Sequence, residues 1–248
     1  MPDSQILPSV REMWAQIAAS PVVFPDNGIS IVTSPRSRMC PPGWVGLVLL
    51  AGAGIGTAPD DATADAVRTA LADCPPERLR DPSEAAKVLP AGEMLGPVTL
   101  AYLASDSFRP SSGPAVEQLP ADHPDLKALE NQCGPEERHE ASIGELTSPV
   151  FAIREGRDII AAAGYVAWPR ATAHMAILTA PRARGRGLAK VTASSAVAHA
   201  VAARMLPQWR ARAGVAAGGS RLGVRRTRSA DPSEDCLTSS CTPTPGSR

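Results

Sequence analysis

The sequence predicts an α+β protein: a mixed β-sheet flanked by helices, preceded by a smaller N-terminal α+β domain. Three observations carry this. Val150-Phe-Ala-Ile-Arg-Glu155 and Ile159–Trp168 are apolar, strand-like runs on either side of Gly156-Arg-Asp158, the pattern of a β-hairpin. A further apolar run, Ala173–Leu178, leads into Thr179-Ala-Pro-Arg-Ala-Arg-Gly-Arg-Gly-Leu-Ala189, and an Ala- and Val-rich helical segment from Leu188 to Met205 leads out of it. The first hundred residues alternate short helical and strand-like patterns.

In chain order, Gln5–Ala19 reads as a short helix and Ile29–Thr33 as a strand. Trp44–Leu50 is a strand, with Gly54–Thr57 beside it. In Asp60–Ala72, Ala62, Ala66, Val67, Ala70 and Leu71 follow helical spacing. Asp81 is an N-cap with Pro82 at the first helical position, where its missing N–H costs nothing. Val98–Leu103 closes this domain as a strand. Ser105–Pro114, rich in Ser, Pro and Gly, reads as a linker. Asp122–Cys133 is a helix burying Leu126 and Leu129, with Ala128 nearby, and Glu136–Leu146 is a more charged one. Leu206–Arg210 reads as the close of the long helix, with Trp209 on it. The domains are therefore residues 1–104, a linker at 105–114, residues 115–212, and an irregular tail at 213–248.

The chain has 248 residues, enough for one or two cores. Aromatics make up only 4% against 44% apolar residues, so alanine and small aliphatics build the core. A net charge of zero argues against a general nucleic-acid or membrane-surface binder. Met1-Pro-Asp-Ser-Gln carries neither a basic nor an apolar leader pattern, and the five cysteines show no CxxC spacing, so a cytoplasmic protein with reduced thiols is expected. Cys236 and Cys241 would make only half a zinc site, and no metal is expected.

A strand, a tight loop with Gly185 and Gly187, and a helix start aim several backbone N–H groups at one spot. The helix N-terminus adds partial positive charge, which makes an anion site suited to a diphosphate. Arg182, Arg184 and Arg186 add cationic side chains. The spacing Arg182-x-x-Gly185-x-Gly187 resembles the acetyl-CoA diphosphate loop of the GNAT N-acetyltransferase superfamily, Gln/Arg-x-x-Gly-x-Gly/Ala. There the loop joins the fourth strand to the third helix, and the resemblance covers about residues 115–212. It implies a GNAT-like sheet, acetyl-CoA as cosubstrate and an amine acceptor. It also implies that Leu188 opens the helix on the anion and that Ile177, Leu178 and Thr179 offer main-chain groups to the pantetheine arm. Some members of the family pair the catalytic domain with an N-terminal GNAT-like relic.

For catalysis the candidates are His174, on the strand before the loop, and Tyr165, on the hairpin's second strand. Both also have structural readings: a strand histidine in the core, and a tyrosine that packs. Arg184 and Arg186 either bracket the anion or are solvated. His199 and Glu155 read as structural and as a solvated charge. Gly52-x-Gly54-x-Gly56 fails the dinucleotide fingerprint, since Thr57 stands at the third-glycine position and no helix starts there.

Past Arg212 the composition changes. The family carries a fourth helix and a closing strand pair there, often with a catalytic Tyr, and the tail as written matches neither. Back-translated and read one base later, the codons for Ala213–Ser220 can spell Pro-Glu-Ser-Arg-Arg-Ala-Ala-Arg. Those for Arg221–Ala230 can spell Ala-Leu-Gly-Phe/Tyr-Ala-Glu-Leu-Gly-Ala-Gln, which is that missing helix and strand. The sequence thus supports an N-acetyltransferase, a CoA-binding regulatory relative with impaired catalysis, or an inactive product of a shifted frame. The competing reading of the tail is a basic segment that meets an acidic partner. The gene decides between them: its codons, shifted by one base after Arg212, should spell that helix, and any other spelling removes the frame shift.

Overall fold

Apolar alternation sets strands of period two against helices of period 3.6, and the chain folds accordingly. The computed structural model describes residues 3–89, 94–212 and 237–243. They form two units that divide between Ala101 and Tyr102; the second ends at Trp209, and residues 210–212 and 237–243 belong to the first. In chain order the elements are α1 (Asp3–Ile17), β1 (Gly28–Thr33), β2 (Trp44–Leu50), β3 (Ala53–Ala58), α2 (Asp61–Leu71), α3 (Pro82–Val88) and β4 (Leu95–Tyr102). They continue with β5 (Glu117–Leu119), α4 (Asp125–Asn131), α5 (Pro135–Ala141), β6 (Val150–Glu155), β7 (Asp158–Trp168), β8 (Thr172–Thr179), α6 (Leu188–Ala202), β9 (Leu206–Arg212) and β10 (Leu237–Pro243). Among the described residues no helix is long and apolar enough to cross a membrane.

In the first unit the strand order is β1-β3-β2-β10-β4, with β1 parallel to β3 and the other neighbours antiparallel. A Cβ at Gly54 would stand 2.6 Å from Leu49 Cδ2, and one at Gly56 would stand 2.5 Å from Ile31 Cδ1. Close packing inside β3 therefore accounts for these glycines. Asp60 caps α2 by accepting from the Thr63 amide at 2.8 Å, and Asp81 caps α3 through the Ser83 and Glu84 amides. The buried stripe of α2 is Thr63, Ala64, Val67 and Leu71. Ala62 and Ala66, expected on that stripe, face solvent, because a methyl group is small enough to sit on either side. The strand β10 lies within the segment read as an irregular tail; residues 213–236 and 244–248, where the frame question falls, lie outside the described residues.

The second unit is a mixed sheet in the order β9-β8-β7-β6-β5, flanked by helices. β8 and β9 run parallel, and the other neighbours are antiparallel. A two-residue turn with Gly156 at φ +64° closes the β6–β7 hairpin. One sheet face packs Phe151, Ala163, Tyr165, Ala173 and Met175 under Ala193, Ala196, Val197 and Ala200 of α6. The other packs Ala152, Ile160, Ala162, Ala176 and Leu178 against Leu126 and Leu129 of α4 and Ile143. Ser105–Pro114, read as a linker, lies on α6: the Ser111 amide donates to Ser194 Oγ at 2.8 Å, and a Cβ at Gly113 would meet Val191 at 2.4 Å.

Two helix readings are corrected. The helix expected over Glu136–Leu146 stops at Ala141, because Ser142 turns left-handed (φ +43°), and a 3-10 turn follows over Ile143–Glu145. The long helix stops at Ala202, not Met205. Arg204 is left-handed (φ +57°), the Arg204 amide donates to Val201 O and the Met205 amide to Ala200 O, both at 2.9 Å, which is a Schellman ending. Leu206–Arg210 is therefore strand, not helix end.

Ala196 is fully buried between α6 and the sheet. Replacing it with Leu should overpack this face and lower stability by about 1–3 kcal/mol in urea unfolding, whereas Ala198→Leu, at an exposed position of the same helix, should leave stability within about 0.5 kcal/mol.

Candidate functional site

β8 ends at Thr179, a 3-10 turn covers Pro181–Ala183, and the chain enters α6 through Gly185 at φ +76° and Gly187 at φ +75°. A Cβ at either glycine would meet no protein atom within 4 Å, so the left-handed backbone, not crowding, calls for glycine. Gly187 is the N-cap of α6, and its place is taken by no side-chain cap. Lys190 and Val191 donate to Gly187 O, at 3.1 and 3.4 Å. The amides of Leu188 and Ala189 lie in the first turn, where a helix supplies no acceptor. The arrangement offers an anion uncapped N–H groups and the positive end of a 15-residue helix.

The three loop arginines are engaged with carboxylates. Arg182 reaches Glu155 at 2.6 Å and Asp158 at 3.0 Å, on the two sides of the hairpin tip. Arg186 reaches the other oxygen of Glu155 at 2.9 Å, and Arg184 reaches Glu137 on α5 at 2.7 Å. All three arginine side chains are 43–49% exposed, so solvent screens each pair and the partners exchange readily. Arg186, then Arg182, holds the Glu155 carboxyl below its ordinary range, and the Gly134 amide, then Arg184, does the same for Glu137.

β8 and β9 pair over Thr172↔Leu206, Ala173↔Pro207 and His174↔Gln208, and among the described residues their ladder ends there. The β8 edge from Met175 to Thr179, which includes Ile177 and Leu178, is thereby left open toward β9. Thr179 O accepts from Arg184 Nε at 3.3 Å, while Thr179 Oγ1 is buried without a hydrogen-bond partner. An orphaned buried hydroxyl at the mouth of the loop fits a polar ligand laid along this edge.

His174 and Tyr165 are not brought together. Cross-strand partners share a face, and His174 pairs with Val166 while Tyr165 pairs with Met175, so the two point to opposite faces of the sheet. The Tyr165 hydroxyl lies 3.1 Å from His199 Nδ1 on the α6 face, and burial raises its pKa. His174 stacks on Trp168, with ring centroids 4.2 Å apart and planes 15° off parallel, and its Nδ1 lies 2.6 Å from Gln208 Oε1. Gln208 is wholly buried. Sequence reasoning missed it because Pro207 breaks the strand pattern, and it missed Glu137, Glu155 and Asp158 as partners because only the fold gathers them. Among the described residues Cys74 and Cys133 form no disulfide, and no three His, Cys, Asp or Glu side chains gather to hold a metal ion.

No family model and no curated protein matches the chain. Solved structures similar to it include a GNAT-family protein from Novosphingobium aromaticivorans, at 21% identity and TM-score 0.46 over 62% of this chain and 66% of that one. A GNAT-family acetyltransferase from Colwellia psychrerythraea is similar at 12% identity and TM-score 0.43, over 61% of this chain and 57% of that one. A GCN5-related N-acetyltransferase from Kribbella flavida is similar at 14% identity and TM-score 0.47, over 67% of this chain and 64% of that one. The chain thus spans 57–66% of the length of these three proteins. The likeness is one of fold.

A carboxyl whose folded pKa is depressed contributes stability above its unfolded pKa and loses it as pH falls through the folded one. The Glu155 clamp on Arg182 and Arg186 should therefore hold at neutral pH and open only in acid. Carbon-13 NMR of the Glu155 carboxyl should give a midpoint below the ordinary 4.5, and a midpoint at or above 4.5 would show that the two arginines do not hold it.

Proposed function

We propose that this protein is an N-acetyltransferase that moves an acetyl group from acetyl-CoA to an amine of a small molecule or of a protein, and that it works in the cytoplasm. One observation carries the reading: a strand edge left open by a three-residue parallel ladder runs straight into a two-glycine loop and an uncapped helix N-terminus. The Arg182-x-x-Gly185-x-Gly187 spacing of that loop is the one the family uses for the diphosphate of acetyl-CoA.

In this reading the diphosphate sits on the amides at the start of α6, from Gly185 and Gly187 to Leu188, where the absence of a Cβ lets phosphate approach the backbone. Arg182, Arg184 and Arg186 trade carboxylate for phosphate at little cost, because their present pairs are exposed. The pantetheine arm lies along Ile177, Leu178 and Thr179, and the orphaned Thr179 hydroxyl gains a partner. The thioester then comes to the point where β8 and β9 part, beside His174. The amine nitrogen attacks the thioester carbon, the C–N bond forms and the C–S bond breaks. His174 takes the proton lost by nitrogen, and the thiolate leaves to be protonated as CoA. Tyr165, across the sheet from His174 and bonded to His199, packs α6 in this reading rather than acting as the acid.

Calorimetric titration with acetyl-CoA tests the site, and thiol release with a panel of amines tests the reaction. Binding should weaken at least about tenfold in Gly187→Val, and His174→Gln should lower kcat by about 10²–10⁴ without loss of acetyl-CoA binding. Binding without turnover on any amine would make the chain a CoA-binding regulatory protein. No binding at all would discard the loop reading and leave the inactive product of a shifted frame.

A further inference from the structure

The ring of His174 is constrained by its register, its stacking and its hydrogen bond. We infer that Gln208 is a positioning residue that fixes the tautomer of this ring, with the hydrogen on Nδ1 and the lone pair on Nε2. The inference rests on the reaction proposed above, in which His174 receives the proton of the amine.

The argument starts from the glutamine's amide. Gln208 is wholly buried in β9 and stands opposite His174 in the last rung of the parallel ladder. Its Nε2 donates to the Trp209 carbonyl at 3.1 Å, which leaves Oε1 to face His174 Nδ1 at 2.6 Å. An amide oxygen only accepts, so Nδ1 must carry the hydrogen. Flipping the amide would set Oε1 against the Trp209 carbonyl, two acceptors face to face in a buried place, with neither group's hydrogen bond met. The orientation is therefore fixed by a partner that does not titrate. Trp168 holds the ring plane by stacking at 4.2 Å, so both the rotation and the proton of the imidazole are set before any substrate arrives.

An apolar side chain would fill the same buried place without an amide to satisfy. A glutamine with both ends engaged there defines the chemistry of its neighbour. A neutral imidazole with Nδ1–H has its basic lone pair on Nε2, and a proton accepted there gives an imidazolium whose Nδ1–H still donates to Gln208 Oε1. No bond of the pair has to be remade during proton transfer, which keeps the reorganisation small.

The test uses the full chain with Gln208→Glu and Gln208→Leu. Nitrogen-15 spectra of the wild-type ring, assigned by loss of the signals in His174→Gln, should show Nδ1 protonated and Nε2 bare in the neutral form. In Gln208→Glu a carboxylate faces Nδ1–H and favours the imidazolium. Since the base must be neutral, the rising limb of kcat against pH should move up by about one pH unit or more. In Gln208→Leu kcat should fall roughly tenfold or more, with KM for acetyl-CoA changed less than about twofold. A neutral ring protonated on Nε2 overturns the inference, and so does a pH limb that stays in place in Gln208→Glu. Where neither variant folds, the wild-type spectrum alone decides. A wild-type chain that acetylates no amine sinks the proposed reaction, whereas the ring spectrum still decides the tautomer, so the two failures are told apart.

Discussion

β8 and β9 share three rungs, Thr172 to His174 against Leu206 to Gln208, and the site follows from where that ladder stops. Parallel strands normally exhaust each other's backbone groups along their length. Among the described residues the pairing ends at His174, the third residue of β8, and the remaining edge leads into the loop. The last rung carries His174 and Gln208, and the far end carries the orphaned Thr179 hydroxyl and the glycine turn. A longer ladder would leave no open edge for a linear ligand, and a shorter one would not hold Gln208 against His174. The two ends of the open edge are fixed by independent devices: the Schellman ending of α6 that launches β9, and the two left-handed glycines that launch α6.

Charge in the loop is balanced before any ligand binds. Three arginines meet three carboxylates drawn from the hairpin tip and from α5. Such half-exposed pairs are screened by water and salt, so the arginines bring little net field to the loop. The amides at the helix start are different. Among the described residues no side chain caps them, and an anion at a helix N-terminus gains about 0.3–2 kcal/mol beyond the hydrogen bonds themselves. If an anion binds this loop, magnitude gives the backbone the first share of its recognition and the side chains the second. It also explains why the spacing of the glycines carries more information than the identity of any one arginine.

Period two decides which chemistry can cooperate. Residues 165 and 174 are paired almost directly across β7 and β8, yet a difference of one in register sends Tyr165 toward α6 and His174 toward the face of Val166. The tyrosine side is packed with alanines, which lets α6 approach the sheet closely. There the hydroxyl lies 3.1 Å from His199 Nδ1. The same small residues that give the chain its low aromatic content thus keep the two candidate groups on opposite faces of the sheet.

Much of this arrangement is legible in the sequence, and the part that is not has a physical cause. The hairpin, the strand before the loop, the loop glycines and the start of α6 all follow from local pattern, because alternation, turn glycine and helix period act over a few residues. On α2, Val67 and Leu71 lie on the expected stripe while Ala62 and Ala66 do not, because alanine carries too little apolar area to choose a side. β9 was lost because Pro207 sits inside it. Proline donates no hydrogen and so argues against a strand, yet its carbonyl still accepts, here from the Leu103 amide at 3.1 Å. With β9 went Gln208, whose meaning depends entirely on a neighbour 34 positions earlier. A glutamine in a short segment reads as polar surface from sequence alone. Only a ladder that places it opposite a histidine, and a carbonyl that takes up its donor, turn it into a fixed acceptor. Local rules find the residues that make the fold, whereas this one acquires its chemistry from the fold.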